Sequence, residues 1–166
     1  EKPISLDRVL ITIDNATRTT SLISEKDRLT SAVYGNFVGR SEPILRLIDE
    51  VHRSAPKATR FLITGENGTG KELVAHMIHQ RSRFADGPFV AVNCAALPSE
   101  LVESELFGHS AGAFTGAVKA RKGKFVEANG GSIFLDEISE MPLAAQAKIL
   151  RVIETKQITP VGQDAA

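Results

Sequence analysis

The octapeptide Gly65-Glu66-Asn67-Gly68-Thr69-Gly70-Lys71-Glu72 constrains this chain more than any other stretch. A short apolar run, Phe61-Leu62-Ile63-Thr64, leads into it, and Leu73, Val74, Met77 and Ile78 lead out at helical spacing. The pattern predicts strand, glycine loop and helix, the setting in which a loop wraps a polyphosphate. Glycines let the backbone turn its N–H groups inward, and the following helix points its positive end at the same anion. Lys71 supplies a point charge for the β- and γ-phosphates. The last position of such a loop is usually Ser or Thr, whose hydroxyl binds magnesium; here it is Glu72. The plain alternative is a glycine-rich turn without chemistry, and it leaves the spacing, the lysine and both flanks unexplained.

Two further apolar runs end at residues with chemical use. Phe89-Val90-Ala91-Val92 ends at Asn93, and Ile133-Phe134-Leu135 ends at Asp136-Glu137. Helices are expected where Ile44, Leu45, Ile48 and Val51 follow Ser41 and Pro43, and over about 98–107 and about 142–154. One more strand is expected from Ile158 to Val161. Gly108 to Lys122 carries no clear periodicity. Apolar strands alternating with helices predict an α/β fold, a parallel sheet flanked by helices. Ligands of such sheets lie at the C-terminal ends of the strands. The glycine loop, Asn93 and the Asp136-Glu137 pair are therefore expected in one cleft.

An apolar strand ending in two acids is what a nucleoside triphosphatase uses beside its phosphate loop. Asp136 can hold magnesium directly or through water. Glu137 can polarise a water for in-line attack on a γ-phosphate. Asn93 has two readings: a hydrogen bond to Glu137 that holds the base idle, or a side chain satisfied by local backbone. Phe114, a lone aromatic in Gly112-Ala113-Phe114-Thr115-Gly116-Ala117, also has two: an exposed tip residue or a buried anchor for a surface loop.

Composition sets the outer limits. The chain has 166 residues with 20 basic and 20 acidic side chains, so no basic field points to nucleic-acid binding by this piece alone. Its one cysteine, Cys94, excludes an internal disulfide and fits a reducing cytoplasm. No apolar run approaches the ~20 residues of a membrane span. The opening Glu1-Lys2-Pro3 carries no leader signal, and the chain reads as a piece of a longer protein. Leu6, Val9, Leu10 and Ile13 fall at helical spacing before a polar linker. That first unit is too small to hold a core of its own. His52, His76, His79 and His109 show no metal-ligand spacing, and Cys94 reads as a small buried hydrophobe.

Five motifs occur in order: Glu66 to Glu72, Val92-Asn93-Cys94-Ala95-Ala96-Leu97, Glu103-Ser104-Glu105-Leu106-Phe107-Gly108-His109, Gly112 to Ala117, and Gly130 to Glu137. Together they closely resemble the AAA+ domain of bacterial enhancer-binding proteins, the activators of sigma-54 RNA polymerase. The resemblance covers about Val38 to Gly162, and the Gly112–Ala117 hexapeptide is nearly diagnostic of that family. Glu72 at the end of the loop is the family's habit. The resemblance implies that Gly65, Glu66, Asn67, Gly68, Thr69, Gly70, Lys71 and Glu72 bind ATP, with Val38 and Gly39 near adenine. It implies that Asp136 orders Mg2+, Glu137 is the base and Asn93 is a switch residue. Gly112, Ala113, Phe114, Thr115, Gly116 and Ala117 would form the loop that touches sigma-54, and ATP turnover would move it to open the closed promoter complex.

Glu1-Lys2-Pro3 with its helix resembles the end of a receiver domain, as in NtrC/NtrX-like nitrogen response regulators. Lys2 would then pair with a phosphoaspartate. The expected domains are residues 1–34, receiver end and linker, and residues 35–166, a truncated sigma-54 interaction domain. The family's sensor, arginine finger, helical lid and DNA-binding helix-turn-helix domain would follow Val161. Because the finger acts on a neighbouring subunit, this segment alone is expected to bind ATP weakly, turn it over poorly and close no ring. The full protein would be a cytoplasmic hexamer answering a sensor histidine kinase. The rival from another class is a non-hydrolysing nucleotide-binding regulator. A small-molecule kinase would need an acceptor pocket and lid that the sequence does not offer.

Overall fold

The structure, a computed structural model, describes residues 41–163. Val38, Gly39, Lys2 and the expected first helix lie outside the described residues. The chain divides between residues 44 and 45 into two units, and of the first only residues 41–44 are described.

Helix α1 spans Glu42–Ser54, opening with Glu42 and Pro43 as a first turn favours and burying Val51. Leu45, expected on the same apolar face, is exposed. Helix α2 spans Lys71–Arg81. It differs from the amphipathic helix the spacing predicts, because six consecutive residues, Val74 to His79, are all buried. A helix buried on every side belongs to an interior. His76 and His79 lie edge-on or tilted against Phe89, at 4.9 and 5.3 Å between ring centroids.

Strand β1 is Phe89–Asn93 and pairs in parallel with a second strand, Ser132–Asp136, the fourth in chain order and hence β4. The register sets Phe89 opposite Ser132 and Asn93 opposite Asp136, so both strands end level. Their entrances cross closely: a Cβ on Gly131 would overlap the Pro88 carbonyl, while Ser132 N–H donates to that carbonyl at 2.8 Å. Between the two strands lie helix α3 (Val102–Phe107), β2 (Gly108–His109), β3 (Arg121–Lys122) and the single turn α4 (Lys124–Glu127). After β4, a 3-10 turn at Ile138–Glu140 leads into helix α5, Leu143–Thr155.

The core joins Val92 and Cys94 to Val102, Leu106 and Phe107 of α3 and to Met141, Ala145 and Ile149 at α5. Leu106 and Phe107 are almost fully enclosed, and each such side chain contributes about 1.5–3 kcal/mol. Lys148 of α5 reaches Glu103 of α3 at 2.6 Å and lies 5.5 Å above the Phe107 ring.

Two expectations need correction. Phe61–Thr64 forms no strand; Phe61 and Leu62 are exposed, Leu62 at 84%. A strand exists only with a hydrogen-bonding neighbour, and among the described residues the parallel sheet holds β1 and β4 alone. At the other end, Ile158 to Val161 shortens to an isolated bridge, in which Val161 pairs with His109. The stretch without periodicity, by contrast, is ordered by the antiparallel pair β2–β3, which sets Gly108 opposite Lys122 and His109 opposite Arg121. Strands two residues long leave no alternation to read.

Candidate nucleotide site and loop

The phosphate loop closes on itself. Thr69 donates through its hydroxyl to the Glu66 carbonyl at 2.8 Å, and its N–H reaches the same oxygen at 3.4 Å. Gly68 and Gly70 hold φ of 78° and 87°, left-handed values that L side chains rarely adopt. Gly70 is also the residue that starts α2, and its carbonyl accepts from Val74 N–H at 3.1 Å. Lys71 folds back so that Nζ donates to the Gly65 and Glu66 carbonyls at 3.2 and 3.1 Å. The ammonium is thereby stationed over the loop. Glu72 lies exposed in the first turn, where a carboxylate favours the helix dipole.

The far end of α2 is tied to the sheet, because His79 Nδ1 and Ser132 Oγ lie 2.9 Å apart. The chain then turns through Ser82 to Gly87 into β1, whose end at Asn93 lies level with the end of β4 at Asp136.

At that end Asp136 Oδ1 accepts the N–H of Glu137 at 3.0 Å, and its main-chain carbonyl accepts from Cys94 N–H at 3.1 Å. Glu137 takes φ 51° and ψ 44°, left-handed and not a glycine. Strain of about 1–3 kcal/mol at such a residue tends to gather at working sites. Asn93 does not bond Glu137. Its side-chain oxygen accepts from Ala95 and Ala96 N–H at 3.0 and 3.2 Å, the local-backbone reading of this residue. Cys94, 2% exposed, is a buried thiol as expected. Burial first, then the negative charges of Asp136 and Glu137, push it up to about 11.

Beneath the loop, burial lowers His76, with the Glu72 carboxylate opposing. Among the described residues no three His, Cys, Asp or Glu side chains gather to hold a metal. A single strand-end carboxylate is instead the donor set that Mg2+ uses with phosphate oxygens and water, so Asp136 fits such an ion.

The hexapeptide forms the tip of the β2–β3 connection. Gly112 N–H donates to the Ala117 carbonyl at 2.8 Å, and Ala117 N–H to the Phe114 carbonyl at 3.0 Å. Gly112 and Gly116 hold φ of 80° and 100°. Ala113 and Thr115 lie within this turn, Ala117 is buried, and Phe114 is 40% exposed. The exposed-tip reading of Phe114 describes it better than a buried anchor.

At the base stands His109, the last residue of the Glu103–His109 motif, to which the sequence assigns no role. Its Nε2 lies 3.0 Å from the Lys119 carbonyl, its Nδ1 2.7 Å from Ser104 Oγ, and its ring 5.1 Å from that of Phe114. Arg121 also forms an ion pair with Glu105 of α3.

A glycine loop that starts a helix tied to a parallel strand, with two acids at that strand's end, defines an α/β P-loop nucleotide-binding domain. Residues 37–166 match the family described as the sigma-54 interaction domain, and the chain belongs to that family, whose fold is AAA+. It is 57% identical over 128 residues to the regulatory protein LuxO of Vibrio cholerae, covering 77% of this chain and 24% of that protein. To the regulatory protein AtoC of Escherichia coli it is 44% identical over 166 residues, 97% of this chain and 36% of AtoC. Crystal structures of NtrX from Brucella abortus are also similar. The ATP complex aligns with a TM-score of 0.75 at 39% identity, over 99% of this chain and 34% of that one. The chain thus spans a quarter to about a third of the length of these relatives. Among the described residues no helix is long and apolar enough to cross a membrane.

Proposed function

We propose that this chain is the ATP-binding part of a sigma-54 activator that binds and hydrolyses ATP to remodel the closed promoter complex. The carrying observation is the strand-end pair Asp136-Glu137, with Asp136 level with Asn93, on the strand to which His79 of α2 is tied; in this reading α2 carries the phosphate loop to that same end. The Brucella NtrX relative, crystallised with ATP, supports the ligand.

In this reading the amides from Gly65 to Gly70 cradle the phosphates, with Glu66 and Asn67 contributing backbone. Lys71 leaves its two carbonyl partners to meet the β- and γ-phosphates. Asp136 holds Mg2+, which neutralises charge on the phosphates when bound. Glu137 accepts the proton of the attacking water. Asn93 acts as the switch only after giving up its bonds to Ala95 and Ala96. Val38 and Gly39 belong near adenine. The hexapeptide Gly112–Ala117 presents Phe114 and Thr115 to sigma-54.

The domain division at residues 34 and 35, with a receiver tail and linker before it, belongs to the same proposal. So do a cytoplasmic hexamer, nitrogen regulation, a sensor histidine kinase and a separate helix-turn-helix contact to DNA.

The test is Glu137→Ala in the full-length protein. Loss of a general base should lower ATP turnover about 10²–10⁴-fold, with ATP affinity kept and open-complex formation lost. Unchanged open-complex formation would instead identify a nucleotide-binding regulator that does not hydrolyse.

A further inference from the structure

We propose that His109 is the positioning residue of the hexapeptide loop, holding Phe114 in the orientation its partner meets. The inference rests on the reading of that loop as the sigma-54 contact. It adds a residue outside the hexapeptide and a mechanism for its presentation.

The main chain makes His109 a fixed post. On one side it pairs with Arg121 of β3. On the other, Val161 N–H donates to the Gly108 carbonyl at 2.9 Å, and Ser110 N–H donates to the Val161 carbonyl at 3.1 Å. A residue clamped between two neighbours cannot swing its side chain by backbone motion.

The ring then acts in three directions. The Lys119 carbonyl can only accept, so Nε2 carries the proton and donates to it at 3.0 Å, which fixes the outgoing limb of the loop. In the neutral ring Nδ1 is left as an acceptor, and the buried Ser104 hydroxyl donates to it at 2.7 Å. That bond sets the ring plane from α3. With the plane set, the ring meets Phe114 at 66°, the edge-to-face arrangement that aromatic pairs prefer. Phe114 has 40% of its surface open, so packing alone does not hold it. One imidazole thus links α3, the outgoing limb and the aromatic tip, across eleven residues (110–120) otherwise joined by a few main-chain bonds.

The experiment uses full-length protein with three readouts: amide exchange of Gly112 and Ala117, affinity for sigma-54 in the presence of an ATP analogue, and ATPase kcat and KM. His109→Ala should speed exchange of the two amides about tenfold and weaken sigma-54 binding at least about tenfold. Both ATPase constants should stay within about twofold. His109→Gln retains a donor for the Lys119 carbonyl and should recover part of both losses. Long-range nitrogen–proton spectra should show His109 as the Nε2–H tautomer. Phe114→Ala serves as the control for the loop itself.

Unchanged exchange in His109→Ala would overturn the proposal. So would unchanged sigma-54 affinity while Phe114→Ala abolishes it, or an ATPase loss in step with the binding loss. If exchange rises but Phe114→Ala leaves sigma-54 affinity intact, His109 keeps its positioning role, and the assignment of this loop to sigma-54 fails.

Discussion

The chain carries two glycine-rich loops, and they are held in opposite ways. The phosphate loop, Gly65 to Lys71, is braced from within: Thr69 and Lys71 bond carbonyls of the loop itself. The hexapeptide loop has main-chain bonds of its own, from Gly112 to Ala117 and from Ala117 to Phe114, but its side-chain bracing comes from outside, from His109 at its base where β2 pairs with β3. The difference suits what each must do. A loop whose cation rests on its own carbonyls can exchange those bonds for phosphate oxygens without moving its frame. A loop steadied by a fixed post at its root presents its tip in one orientation.

The sharpest way to break the contrast is Lys71→Ala. Charge-assisted bonds contribute about 1.5–3 kcal/mol each, so ATP affinity should fall about 10–100-fold by calorimetry, while the hexapeptide amides keep their exchange rates. A smaller effect is expected from Gly116→Ala, because φ of 100° leaves a side chain strained. A cost of about 1–2 kcal/mol should weaken sigma-54 binding about tenfold and leave ATP affinity alone. Gly68→Ala, in the other loop, should show the reverse, with ATP affinity lost and sigma-54 binding in the absence of nucleotide unchanged.

The smallest effect is on pH dependence, and it separates the helix beneath the phosphate loop from the strand end beside Asp136. Burial lowers His76, so the fold favours the neutral ring. Its contribution is complete above the unfolded value of 6.5 and is lost as pH falls below it. Thermal melts taken from pH 8 downward should decline in that window, less so in His76→Phe. Cys94 acts at the other extreme. Between about 9 and about 11 an unfolded chain releases the thiol proton that the fold retains, so stability should drop again as pH rises through that interval.

Much of this was readable in the sequence where one residue type has one dominant use. The runs ending at Asn93 and Asp136 became strands because short apolar segments between turn residues have few other fates. The glycine loop and α2 followed from spacing. Phe61–Thr64 did not, because a strand is a relation between two segments and its apolar composition names no partner. The Asn93 alternatives were open because a hydrogen bond across a cleft and one to the next turn demand the same side chain. The role of His109 was hidden for a different reason, although its motif was legible. Its importance comes from Ser104, Lys119 and Phe114 converging on it, and two-residue strands leave no period that would announce it.

The crossing of Gly131 over Pro88 acts as a doorstop for the whole sheet. With no room there for even a methyl group, neither strand can slide along the other, so the vertical alignment of Asn93 with Asp136 is decided at the opposite rim. A side chain added at Gly131 would therefore be felt about 16 Å away, as carboxylates delivered at the wrong height.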